Sequence, residues 1–227
     1  MASCLVIAKD YWGTCLAIET ANRLYNTLLK RNIVNANKSK FLLGDCVSVS
    51  SIKHLLEEMI PNLTEPNKKL LVIMVGHGNQ ITDMNSDESD NLDEIYQLPD
   101  GNLSDDYLTS ALKSVPIHES SLLILISDHC SSGTMLDRND FDNEMKTNWV
   151  NISSSLPYED SYTSGDGNVM SYCLMQLLND EAIHKYTVED ISKKLSDEMK
   201  NSFIGELQHI CVTVSRDEIW KTLLFEI

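Results

Sequence analysis

Two uninterrupted apolar runs, Leu70-Leu71-Val72-Ile73-Met74-Val75 and Leu122-Leu123-Ile124-Leu125-Ile126, constrain the fold of this chain more than any other feature. A run without polar alternation has no solvent face. Each therefore reads as a strand buried on both sides, as in parallel sheets covered by helices. Each run also stops abruptly at residues that can do chemistry. Gly76-His77-Gly78 follows the first, and Ser127-Asp128-His129-Cys130-Ser131-Ser132-Gly133 follows the second. Open α/β sheets hold their ligands beyond the C-terminal ends of their strands. If the two strands are parallel neighbours, His77 and Cys130 reach the same edge, where a thiol and an imidazole make a nucleophile and its general base.

The rest of the chain suits that sheet. Leu5 to Ala8 reads as a first strand. Ile18, Ala21, Leu24, Tyr25, Leu28 and Leu29 recur at helical spacing up to Arg31. Lys40 to Cys46 suggests a short second strand, and Ser50 or Ser51 can cap a helix that Pro61 ends. This is β-α-β-α-β before the first histidine. After the cysteine strand, residues 149–155 read as a strand and Val169 to Leu178 as a helix. Thr187 with Asp190 forms a capping box before a further helix, and His209 to Val214 is a last strand. A chain of 227 residues holds one such domain with a full core.

Charge and cysteine usage bound the function. The net charge of −16 lacks the basic footprint of a nucleic-acid binder and suits a cationic substrate or bound cations. No apolar run is long enough to span a membrane, and the N-terminus carries no signal-peptide pattern. Six scattered cysteines without a CxxC pair fit a reducing cytoplasmic setting rather than a disulfide framework. Nine acids and no Lys or Arg fall between Asp83 and Asp106, in what reads as one long functional loop from Asn79 to Ser104. Asp83, Asn85, Asp87 and Glu94 take EF-hand spacing there. Glu88 stands where that motif needs Gly, however, and the loop follows a strand, so the EF-hand reading fails.

Taken together, Gly76-His77-Gly78-Asn79-Gln80, the acidic stretch, and Asp128-His129-Cys130-Ser131-Ser132-Gly133-Thr134-Met135-Leu136-Asp137 resemble the metacaspases, caspase-like cysteine peptidases. The 53 residues between His77 and Cys130 match the caspase arrangement. Two departures are visible: Val75 stands where the family has Ser, and His129 and Ser131 flank Cys130 where the family has Ser and His. The resemblance implies an α/β, caspase-like three-layer sandwich with a mostly parallel central sheet flanked by helices. It divides the single domain into a large-subunit-like part (1–137), a connecting loop (138–148) and a small-subunit-like part (149–227).

The resemblance also implies an activity: an endopeptidase cleaving after Arg or Lys, with Cys130 as nucleophile and His77 as acid/base. The N–H groups of Gly78 and Cys130 would be the oxyanion donors. Asp128 would bind the basic side chain of the substrate, with Glu19 and Ser153 lining the cleft. A calcium ion (Ca2+) would activate the enzyme through Asp93, Asp105, Asp106 and Asp137, the last of these seven residues after Cys130. Self-cleavage in the connecting loop would follow Arg138 or Lys146. The expected partners are peptides or proteins with a basic residue before the cut, and the chain is expected to be a monomer. Other readings remain open: an inactive caspase-fold regulator or decoy, a relative of legumains with another specificity, or an acidic calcium-binding module.

Overall fold

The computed structural model describes residues 1–10, 14–83, 91–138, 147–165 and 167–226. Its central sheet is built from β1 (Ala2–Ala8), β2 (Val34–Leu43), β3 (Lys69–Val75), β7 (Leu122–Asp128), β8 (Trp149–Ser153) and β11 (Cys211–Val214). Their spatial order is β11-β8-β7-β3-β1-β2. All neighbours run parallel except β11, which is antiparallel to β8.

The two apolar runs behave as their composition requires. In β1, β3 and β7 successive side chains enter opposite cores. Val6, Ile73 and Ile124 face one core, and Leu5, Val72 and Leu125 face the other. Helices α1 (Leu16–Lys30), α4 (Val169–Leu178) and α5 (Val188–Asn201) close the first face. Helices α2 (Val49–Met59) and α3 (Asp105–Lys113) close the second. The molecule is thus a mixed α/β sandwich of three layers around a mostly parallel sheet, consistent with the caspase-like architecture. No helix among the described residues is long and apolar enough to cross a membrane, and all six cysteines are unpaired.

Two expectations are corrected. The stretch from Asn79 to Ser104 is not one long loop. It contains a three-stranded antiparallel sheet of β4 (Gly78–Thr82), β5 (Leu92–Leu98) and β6 (Gly101–Ser104). Strand β5 is disguised in sequence because Asp93 and Glu94 are buried within it, where alternation would predict apolar residues. The second strand of the main sheet begins at Val34 rather than Lys40. Its polar run Asn35 to Ser39 belongs to an edge strand, which needs no apolar outer face. Residues 139–146 of the expected connecting loop lie outside the described residues, and Lys146 with them. A two-stranded ribbon, β9 (Thr163–Ser164) and β10 (Gly167–Asn168), precedes α4.

Candidate active site

The register of the central sheet brings the candidate dyad together. Val75, the last residue of β3, pairs with Asp128, the last residue of β7. His77 and Cys130 each follow by two residues, so they leave the sheet from the same rung. The Gly76 N–H donates across that rung to the Asp128 carbonyl at 3.3 Å. Both side chains then line one open pocket of about 250 Å3, together with Asp10, Ser161 and Asn168. A larger depression of about 560 Å3, around Lys69 and Arg216, lies among residues that begin β3 and β7, at the opposite end of the sheet.

The departures around Cys130 have a packing role. His129 is fully buried beneath Gly78, with Nδ1 2.9 Å from the Cys130 carbonyl. Its ring lies 5.4 Å from that of Tyr96. A Cβ on residue 78 would fall 2.1 Å from His129 Nδ1 and 2.2 Å from the Cys130 carbonyl oxygen, so only glycine fits. The Nε2 atom of His129 is buried without a hydrogen-bond partner among the described residues. Burial accordingly pushes the ring down to about 4, which keeps it neutral. Beyond it, Ser131 takes a left-handed backbone (φ 50°) and donates its N–H to the Glu159 carbonyl. The hydroxyls of Ser154 and Ser155 donate to the His129 carbonyl, so the chain leaving β8 supports the nucleophile turn from below.

The electrostatics of the dyad are those of a neutral pair. Burial pushes the Cys130 thiol up, aided by the nearby Asp160 carboxylate, against an N–H bond from Ser161. Burial also holds His77 below its usual range, with Asp10 acting in the opposite sense. Asp10 could not be picked out in sequence, where it reads as a turn residue. In the structure its carboxylate accepts the N–H groups of Ala17 and Ile18 at the start of α1, and it lines the same pocket as His77. Ser161 and Asn168 also escaped detection, because small polar residues in a polar stretch carry no distinguishing signal.

The expected substrate-binding residues are placed unevenly. Asp128 is completely buried. Its Oδ2 accepts the Ser171 N–H at 3.0 Å and hydroxyl at 2.5 Å, and its Oδ1 accepts the Ser161 hydroxyl at 3.2 Å. Burial raises its pKa, and these donors oppose the rise. Glu19 is an exposed residue in the first turn of α1 and is not among those lining the pocket. Ser153 ends β8 fully buried, its hydroxyl without a partner among the described residues.

The acidic set is held largely by its own contacts. Asp93, Glu94 and Asp105 are buried and bear on one another electrostatically. The Asp105 oxygens already accept the N–H groups of Glu94 and Asp106. Glu94 is engaged by Gln80 and by the Thr134 hydroxyl. Burial lifts Asp105 to about 8. Among the described residues no three His, Cys, Asp or Glu side chains gather as metal ligands. The donor chemistry of the set suits a hard cation. Asp106 and Asp137 are half-buried. Arg138 is tied to the Val214 carbonyl and to Asp217.

Comparison with known proteins supports the fold. The chain is similar to metacaspase-1 of Kluyveromyces lactis, 28% identical over 146 residues that cover 59% of this chain and 34% of the yeast protein. It thus matches about a third of the length of that curated relative. The crystal structure of a Geobacter sulfurreducens protein superposes with a TM-score of 0.76 at 15% identity, covering 100% of this chain and 98% of the other. No family model matches the chain. The solved structure shows the fold, and the yeast protein is a distant relative in sequence over part of the chain.

Proposed function

We propose that this chain is a cysteine endopeptidase that cleaves after Arg or Lys. The observation that carries the reading is the shared rung, from which His77 and Cys130 emerge into one pocket. In the proposed reaction Cys130 gives its proton to His77 and its sulfur attacks the peptide carbonyl. His77 returns the proton to the departing amine, leaving an acyl-enzyme that water cleaves with the same histidine as base. The N–H groups of Cys130 and Gly78 are proposed to hold the oxyanion. Asp128, buried beside the pocket behind Ser161, is proposed to meet the basic side chain, as charge complementarity favours, with Asp10 an acid that lines the pocket and Glu19 and Ser153 as further substrate-binding candidates.

Calcium activation through Asp93, Asp105, Asp106 and Asp137 is a separate part of the proposal. It rests on the resemblance and on the acidity of the region, and no step of the reaction passes through the ion. Self-cleavage after Arg138 or Lys146 is proposed on the resemblance alone.

One observation favours a second reading, a caspase-fold regulator without activity: Val75 stands where the resemblance expects Ser, and His129 and Ser131 flank Cys130 where it expects Ser and His. Fluorogenic peptides ending in Arg, Lys or Asp separate the two, assayed with and without millimolar calcium on the wild type and on Cys130→Ala. Cleavage after Arg or Lys that disappears in the variant supports the peptidase. Cleavage indifferent to calcium removes the metal set alone. A folded chain that cleaves nothing favours the regulator.

A further inference from the structure

Residues 156–164 lie across the candidate site, and Ser161 touches both of its key groups. The Ser161 N–H donates to the Cys130 sulfur at 3.2 Å, and its hydroxyl donates to Asp128 Oδ1 at 3.2 Å. One side chain from outside this segment fixes it there. Gln208 is 1% exposed. Its Oε1 accepts the Tyr162 N–H at 2.9 Å, and its Nε2 donates to the Ser154 carbonyl at 2.7 Å and lies 3.5 Å from the Ser161 hydroxyl. A buried amide is costly unless both of its ends are paired. Here the two ends tie the segment to the chain leaving β8, which itself supports the nucleophile turn.

We infer that Gln208 is a positioning residue of the site, whose amide holds the Ser161 N–H on the Cys130 sulfur and so sets how readily the thiol ionises. An N–H aimed at a thiolate favours the charged form. The other groups around the sulfur leave this bond an influential one. The Asp160 carboxylate opposes ionisation. His77, Asp10 and Lys9 line the same pocket, and His129 beside it is neutral. Glu159 is occupied by the His209 ring at 2.7 Å and by its N–H. The inference deepens the proposed function and rests on its choice of nucleophile.

The test is the pH profile of Cys130 alkylation by iodoacetamide, read by mass spectrometry of the Cys130 peptide in wild type, Gln208→Ala and Ser161→Ala. Loss of Gln208 should raise the midpoint by about one pH unit, which is about a tenfold slower reaction at a fixed pH below both midpoints. Ser161→Ala keeps the N–H and should leave the midpoint in place. An unmoved midpoint in folded Gln208→Ala, or an equal shift in Ser161→Ala, overturns the inference. Should Gln208→Ala not fold, amide exchange of the wild type decides. Ser161 and Tyr162 should be protected like β8, and exchange as fast as that of exposed Tyr158 overturns the inference. Because alkylation needs no turnover, a shift without peptide cleavage would sink the peptidase reading alone, and cleavage without a shift would sink this inference alone.

Discussion

Acidification should unfold this protein in part through His129, a residue whose ring does no chemistry in the proposed reaction. The folded ring sits at about 4, against 6.5 for an ordinary histidine. Between those values the unfolded chain binds a proton that the folded chain refuses. The stability owed to the neutral ring is therefore complete above about 6.5 and falls away as the pH drops from there toward 4. A pKa difference of about 2.5 is worth about 3 kcal/mol over the whole window. Asp105 works against it: its folded pKa of about 8 exceeds the ordinary 3.8, so its contribution grows as the pH falls from 8 toward 4. The bulk pH dependence mixes the two, and the His129 component appears only as a difference between proteins. Urea unfolding at a series of pH values, on wild type and His129→Ser, supplies that difference. The variant loses ring packing against Tyr96 at every pH, so its absolute stability is lower and only its slope is informative. The wild type should lose about 3 kcal/mol more than the variant between pH 7 and pH 4. Parallel curves would refute the argument that burial without a partner for Nε2 keeps the ring neutral.

Other substitutions examine the packing around the site and the helix that backs it. Gly78→Ala places a methyl against the Cys130 carbonyl and His129, and should cost about 1–3 kcal/mol in urea unfolding. Gly165→Ala, with nothing within 4 Å of the new carbon, should stay within about 0.5 kcal/mol of wild type. At the start of α5, Thr187 accepts the Asp190 N–H at 3.2 Å while the Asp190 carboxylate accepts the Thr187 N–H at 3.0 Å. Thr187→Ala should therefore lower stability by about 1 kcal/mol, seen as a shift in the denaturant midpoint without a change in slope.

What could be read from the sequence followed from how strongly each position is constrained. Strands β3 and β7 were legible because both of their faces are buried, which leaves no polar position to blur the pattern. With the two strands parallel neighbours, their matching lengths bring His77 and Cys130 to one edge. Strand β5 was illegible because it buries Asp93 and Glu94, and an inward carboxylate looks like loop acid to any pattern based on hydropathy. Strand β2 was cut short for the opposite reason, since its exposed edge tolerates Asn35, Asn37 and Lys38. Ser161 and Gln208 act through hydrogen bonds to chain segments remote in sequence, and Asp10 through bonds to the start of α1 that its own sequence does not announce. No local periodicity records such bonds, so these residues emerge only once the backbone is folded.

The pocket draws Asp10 from the end of β1, His77 from β3, Cys130 from β7 and Ser161 from beyond β8, with Gln208 from just before β11 behind it. Nearly the whole chain lies between the first and last of these residues. No single hairpin or helix pair can assemble even half of the site, and the contacts that join its segments close long loops whose entropy must be lost before each contact is made. Competence therefore belongs to the completed sheet. During refolding the pocket should appear with the last long-range strand pairings, and a fragment lacking either end of that span has the motifs without the site.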